Sequence, residues 1–593
     1  MNSLLVLRDP KEISVLDDFK DFEVFCLTFR AYLKTLEIGL NAHFASEFSE
    51  LHQQDYIAAS ENLIPLIKSI PFLNRRLTSD DKIVLQSKFL PVFSGLLFDY
   101  YLAKNIIEKI HPERIFLHKS KKMSFYNGIW EVDNNFYFFE LILLELAKKK
   151  GISVIYFDRT DSVITSPNQY MNLKSLWINI WTYSKFYKFE NGGFKKKIFT
   201  DTFVTQSKAF IFRQTIGSFD FITVPQRGSF LGFLSFVLSK SSKKILELIF
   251  KLRFKELSSY YKLMLNDNKN QKSTKELNTF KIIIEVLGLH FKSEFLGILS
   301  STGCYLIQRK IFQFWFFACN YSGVICGNNF SAISAAKLNK IKNVQVAHSG
   351  IVAPELFPMI SDNNLVMAKP QKYYYMSTKF WRGSFKFSPI PKMVDVGSSG
   401  KNIDSSNKSL KILILAKNMG MRRWEFDDYR AYLDAIGSIA SLSERFDQEL
   451  VLRLHPSGGR HLSEDYKSYF SRKCHNLTID NSQNFHKALE NSRFCIVFQE
   501  TSAIFELIQM DIPIIFVPFH FSKPYRKAYI VSYLEQSLET CSSIKLLSST
   551  VEKLLVDKKF KEKILQNQQR LKAELKFSDF QSSIEEMIKR FSS

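Results

Sequence analysis

The residues of this chain best suited to chemistry are a histidine that closes one apolar run and a Glu-Thr-Ser turn that follows another. His455 sits in ELVLRLHP (449–456), and Glu500, Thr501 and Ser502 follow RFCIVF (493–498) and lead into a helical pattern over 502–509. Hydroxyls at the start of a helix, beside its unpaired N–H groups and positive dipole end, suit a phosphate. Glu506 lies four residues after Ser502, hence on the same helix face one turn on, where a carboxylate suits the hydroxyls of a ribose. His455 could give a proton or a hydrogen bond to a departing phosphate. Singly, a Thr-Ser pair is more often only a helix cap, and a strand-end histidine only a structural hydrogen-bonder. Their occurrence at one sheet edge is what points to a nucleotide.

The elements that must hold these groups are legible around them. Short apolar runs alternating with helical stretches predict a parallel sheet with crossover helices. Strands are expected at 449–456, 476–480 and 493–498, with helices at 484–490 and 502–509 and a further apolar run up to Pro518. Ligands of such sheets bind outside the carboxyl ends of the strands. His455 and the 500–502 turn both fall there, so both should line one crevice.

The order of strand with His-Pro, loop, strand-helix-strand, Ser/Thr turn, Glu-bearing helix and Asp-Ile-Pro-Ile-Ile resembles the carboxyl-terminal domain of GT-B glycosyltransferases. The His-Pro pair and Ser/Thr turn are most similar to enzymes with cytidine-nucleotide donors: bacterial sialyltransferases, Kdo transferases and CDP-glycerol glycerophosphotransferases. The resemblance implies an α/β protein with two Rossmann-like domains facing a cleft, a helical N-terminal region and an insertion in the first domain. It implies transfer of a sugar from a nucleotide-activated donor, CMP-linked, to a cell-surface glycan or glycolipid, with no metal and no other cofactor. His455 is then catalytic, and Arg453, Glu500, Thr501, Ser502 and Glu506 bind the donor. Lys417 joins them from the turn after LKILILAKNMG (410–420), which in these folds faces the donor phosphates. The chain lacks the Asp/Glu-Asp-Gly tripeptide that supplies the base in some sialyltransferases, which leaves the base unassigned. A non-hydrolysing sugar-nucleotide epimerase of the same fold, or a non-catalytic scaffold at a membrane surface, is the alternative.

Earlier in the chain, residues 1–112 read as mainly helical, with breaks near Pro71 and Pro91. A strand at 114–120, a helix at 135–150 and a strand at 152–158 form a βαβ unit, with Gly151 ending the helix. Asp158 stands at the end of its second strand and is the candidate for a carboxylate that activates the acceptor. From 162 to about 280 the pattern loosens into an insertion. Strands resume at 323–327 and 343–350, the second containing His348, and the helix between them covers 331–341. The turn after His348 is similar to a His-Gly turn of surface-polysaccharide enzymes, with a serine intervening, which makes His348 a third catalytic candidate. Two further strands are expected at 372–378 and 393–399. A polar linker over 398–409 divides an acceptor-side domain (1–397) from a nucleotide-sugar domain (410–550), and a helical segment (551–593) follows.

Composition narrows the classes. Fifty-six Phe exclude a disordered chain. Seven scattered Cys without a metal-type spacing argue against a zinc or disulfide framework. No apolar stretch reaches the roughly 18 residues of a membrane span, and no signal-peptide pattern opens the chain, so a cytoplasmic protein is expected. The net charge of +23 calls for an anionic partner. Nucleic acid is not expected, because no zinc-finger, RRM or helix-turn-helix signature is present. The segment 230–257 interleaves apolar turns with six cations, as an interfacial helix does, and points to peripheral binding at an anionic membrane surface.

Overall fold

The computed structural model describes residues 3–8, 21–48, 77–118, 137–157, 196–200, 219–223, 321–347, 358–366, 369–376, 381–387, 410–416, 428–455, 459–471, 474–482, 485–498, 501, 503–518 and 529–574, with a few helical residues between 305 and 316. They build three open sheets, and every strand pairing in them is parallel. The expected α/β class with Rossmann-like units is therefore the class found.

The first sheet contains β1 (Ser3–Leu7), β2 (Glu23–Cys26), β3 (His43–Phe44), β4 (Arg114–His118) and β5 (Ser153–Phe157) in the order β3-β2-β1-β4-β5. Its helices are α1 (Phe29–Glu37), α2 (Ala45–Phe48), α3 (Ser79–Ile110) and α4 (Tyr137–Lys149). The N-terminal region thus holds helices, as expected, but also three strands that were not. Its β1, SLLVL, is buried at every position, which a strand in the middle of a parallel sheet requires. The helix α3 continues through Pro91, where a break was expected. The second βαβ strand and its helix fall where the pattern placed them.

The second sheet contains β6 (Lys196–Thr200), β7 (Phe219–Thr223), β8 (Tyr321–Cys326), β9 (Lys342–Val346), β10 (Asn363–Val366) and β11 (Ser384–Phe387), with α5 (Phe330–Leu338) and α6 (Lys369–Met376). Its order, β11-β10-β9-β8-β6-β7, is that of a flavodoxin-like unit extended by one strand. Two corrections follow. Part of the stretch expected to be an insertion is integral, because β6 pairs with both β7 and β8. The strand expected at 372–378 is instead helical through Met376: Pro370 in its first turn suits a helix start and outweighs the strand preference of three tyrosines. The strand expected at 393–399 and the basic segment 230–257 lie outside the described residues.

The third sheet contains β12 (Lys411–Leu415), β13 (Glu449–Arg453), β14 (Leu477–Asp480), β15 (Ser492–Phe498), β16 (Ile514–Val517) and β17 (Glu539–Thr540). Between and after them come α7 (Tyr429–Arg445), α8 (Gly459–Ser471), α9 (Phe485–Leu489), α10 (Ala503–Gln509), α11 (Tyr529–Ser537), α12 (Ile544–Val556) and α13 (Lys558–Glu574). Alternate residues of its strands serve two cores. Ile412, Ile414, Leu450 and Leu452 face α7 and α8, while Leu413, Leu415, Val451 and Val497 face α10. The described cysteines, Cys26, Cys326, Cys474, Cys495 and Cys541, are buried thiols outside any disulfide.

Side-chain clusters tie the first sheet to each of the other two. Phe29 of α1 lies 5.0 Å from Tyr429, 6.1 Å from Tyr432 and 5.6 Å from Tyr466, between ring centroids. Around these rings Arg30 donates to Asp465 at 2.6 Å and Arg430 donates to Asn41 at 2.7 Å, so the first and third sheets share one core. At the other end of the fold, α3 begins in a capping box formed by Thr78 and Asp81. The fully buried Asp81 carboxylate pairs with Arg309 and accepts hydrogen bonds from Tyr305 (2.8 Å) and from Ser334 of α5 (2.9 Å). That ties α3 to the helix layer over the second sheet. Burial alone would raise the Asp81 pKa, but the Arg309 charge and the bonds from Thr78 and Tyr305 outweigh it and hold the carboxyl below its usual range.

Asp81→Asn leaves the Arg309 charge buried and unpaired, and is expected to cost about 3–5 kcal/mol at pH 7. The folded pKa is lowered, so the contribution is complete above the unfolded value of about 4 and is lost as pH falls through the folded one. Urea unfolding of both proteins from pH 7 to pH 3 checks this. A loss below about 1 kcal/mol at pH 7 contradicts the pairing.

Candidate functional site at the switch point of the third sheet

The third sheet runs β14-β13-β12-β15-β16-β17, so the strand that comes first in the chain lies in the middle. The chain builds outward from β12 through β13 to β14, then returns to the other side of β12 and continues from β15 to β17. The chain therefore leaves β12 and β15 for opposite sides of the sheet, which makes their carboxyl ends its topological switch point. This is where ligands of doubly wound sheets bind.

His455 stands at the same edge, just past the carboxyl end of β13. Leu454 is 3% exposed and its N–H donates to the Asp480 carbonyl at 2.9 Å, whereas His455, the next residue, is exposed. The chain thus emerges from the sheet between these two residues. On the neighbouring strand, the Ala416 N–H donates to the Arg453 carbonyl at 2.9 Å, which brings the end of β12 alongside that of β13.

Arg453 was expected in the donor set, and the structure shows what holds it. Only 4% exposed, its guanidinium pairs with Asp480, donates to the Ser482 hydroxyl at 3.1 Å and to the Ser482 carbonyl at 3.0 Å, and lies 5.3 Å from the centre of the Phe485 ring. Arg453 and Asp480 are register partners in the parallel ladder. Burial would raise the Asp480 pKa, but hydrogen bonds from Ser482 and the Arg453 charge together lower it. Arg453 accordingly braces the ends of β13 and β14 with the start of α9, and so fixes the strand end that presents His455. Asp480, Ser482 and Phe485 were not singled out from the sequence. The signal was there in part, because an Arg and an Asp closing adjacent parallel strands fall side by side once the register is known.

On the other side of the switch point, Thr501 is half-buried and its hydroxyl accepts from the Ala503 N–H at 3.4 Å. It caps the start of α10, a helix of seven residues. Ile504, Phe505, Leu507 and Ile508 of α10 are buried in the core, and Glu506 is half-buried among them. Lys417, Glu500 and Ser502, which follow β12 and β15 in the chain, lie outside the described residues, as do Asp158 and His348. Asp158 follows β5 of the first sheet and His348 comes shortly after β9 of the second. In chain order the three catalytic candidates thus follow strands of three different sheets.

No protein-family model and no curated protein matches the chain. Among solved structures, S. aureus MnaA in a co-structure with UDP is 12% identical, with the match covering 67% of this chain and 96% of that one at a TM-score of 0.38. The UDP-GlcNAc 2-epimerase from Neisseria meningitidis bound to UDP-GlcNAc is 11% identical over 66% of this chain and 100% of that one, at 0.37. Acinetobacter baumannii MurG is 11% identical over 67% and 99%, at 0.35. At these TM-scores the likenesses carry no weight beside the strand orders, which themselves define an α/β protein of doubly wound, Rossmann-like units.

Arg453→Ala should loosen the two strand ends it braces. Amide hydrogen exchange is expected to rise in 451–455 and 477–482 while the first sheet keeps its protection. Unchanged exchange at both strand ends would show that the brace holds nothing.

Proposed function

We propose that the crevice beyond β12, β13 and β15 binds the nucleotide of an activated sugar, and that the protein is a glycosyltransferase acting on a cell-surface glycan or glycolipid. The observation that carries this reading is the exposed His455 at the carboxyl end of β13, beside the β12–β15 switch point and on a strand end held by the buried Arg453. In it His455 stabilises charge on the departing phosphate. Lys417, Glu500, Thr501 and Ser502 complete the phosphate side by their places after β12 and β15, and Glu506 holds the ribose. Asp158 or His348, from the other two sheets, activates the acceptor. Side-chain cations and backbone donors carry the phosphate charge, so no metal or cofactor takes part. The cytidine donor follows from the sequence resemblance alone.

Incubation with CMP-, CDP- and UDP-sugars and candidate acceptors in EDTA tests the reading. Transfer of the sugar with release of free nucleotide is expected. A changed sugar still joined to its nucleotide makes the protein an epimerase, and no turnover of any donor makes it a scaffold; either overturns the proposal. Activity that appears only on adding magnesium or manganese removes the metal-free site. In the active pairing, His455→Ala should lower turnover about 10²–10⁴-fold with little change in nucleotide affinity. Ser502→Ala should lose less, because backbone donors remain. Glu506→Ala should weaken nucleotide binding instead, since the ribose does not change in the reaction. Near-normal turnover in a folded His455→Ala protein removes the catalytic role.

A further inference from the structure

The last two described helices meet at a corner that the nucleotide crevice does not use. Only Asp557, in extended backbone, separates α12 from α13. Val556 ends α12 with 66% of its surface exposed, more than any other large apolar side chain described, and Leu546, near the other end of that helix, is 42% exposed. Such side chains normally lie in the core, as Leu547, Val551 and Leu554 of the same helix do.

Cations surround Val556. Lys553, Lys558, Lys559 and Lys563 are all exposed at or within two turns of the corner. Three carboxylates stand nearby: Glu552, which pairs with Arg445, Asp557, which accepts the Phe560 N–H at 3.1 Å as the cap of α13, and the exposed Glu562. Arg493 adds its charge from beneath, donating to the Leu555 carbonyl at 2.6 Å. The half-buried Lys561 feels the crowding, since burial and the Arg493 charge together push its ammonium below the usual lysine range. The corner is therefore an exposed aliphatic tip in an excess of positive charge, with five lysines from Lys553 to Lys563 and the adjoining Arg445 and Arg493 against Glu552, Asp557 and Glu562.

We infer that this corner docks the protein on an anionic lipid bilayer, with Val556 entering between head groups and Lys553, Lys558, Lys559 and Lys563 facing the lipid phosphates. A nucleic acid would take the lysines but gain nothing from an exposed Val556 and Leu546. A protein partner would have to supply both a pocket for the tip and a ring of acids around it. A bilayer offers apolar interior and surface charge at once to a convex feature. The inference stands apart from the nucleotide reading. It also sets an orientation: Arg493 lies at the start of β15 and binds the corner there, at the edge of the sheet opposite His455.

Co-sedimentation of the full-length protein with vesicles of phosphatidylcholine, alone or mixed with phosphatidylglycerol, tests the inference. Binding to the mixed vesicles at low salt, reversed at high salt, and none to phosphatidylcholine alone, is expected. Lys558→Ala with Lys559→Ala should weaken binding about thirtyfold, and Val556→Asp should abolish it. Lys148→Ala with Lys149→Ala, two exposed lysines of α4, should leave it unchanged. All these positions are exposed, and thermal melts confirm that the variants fold. Failure of the native protein to bind, equal binding to both vesicle types, or retained binding by either corner variant overturns the inference, the last by moving the contact to another basic segment.

Discussion

Parallel pairing is the constraint on which the rest of this structure depends. Two neighbouring parallel strands cannot be joined by a tight turn, so each pairing demands a crossover of a dozen or more residues. Those crossovers cover both faces of the sheet, which is why Ile412, Leu413 and Ile414 are all fully buried along a single strand. The same constraint sends every strand out of the sheet at one edge. Loops that must turn there carry no ladder hydrogen bonds and are free to bear polar side chains. Ala416, His455 and Thr501 stand at that one edge for that reason, though up to 85 residues separate them in sequence (416 to 501).

Holding three such sheets in one molecule requires contacts that the sheets themselves do not provide. The aromatic layer around Phe29 gives the first and third sheets a common core, and α1 is at once a crossover of one and a neighbour of α7 and α8 on the other. The Asp81 cluster has a different character. It buries a charge pair and satisfies the carboxylate with Tyr305, Ser334 and Thr78, so it specifies one arrangement of helices more than it adds net stability. Near the crevice, Arg453 works in the same way on a smaller scale. Its buried guanidinium matches the donors it offers to a carboxylate, a hydroxyl and a carbonyl on the adjoining strand end.

The third sheet was legible in the sequence because its strands are short, continuously apolar and separated by amphipathic helices. Burial on both faces leaves that mark, and β12, β13, β15 and β16 all fall where the pattern put them. Several strands without it were missed, and so was β1, SLLVL, which carries it. In β10, NNLV, the side-chain amide N–H groups of the buried Asn364 donate to the carbonyls of Ser361, Arg382 and Ser384, an accommodation that no hydropathy pattern displays. In β6, two lysines precede a single apolar pair, and β3 has only two residues. The place of His455 at a carboxyl end was readable from its strand. The engagement of Arg453 was not, because its partner Asp480 lies 27 residues on and becomes a neighbour only through the parallel register.

The central claim is that the nucleotide binds at the β12–β15 switch point and not at the corresponding edges of the other two sheets. Photolabelling with an azido-substituted nucleotide, followed by peptide mapping, tests it most directly. The account predicts label in peptides spanning 416–428, 455–460 and 499–503, protected by excess unmodified nucleotide. Protectable label concentrated after β1 and β4, or after β6 and β8, would place the nucleotide on another sheet and contradict it.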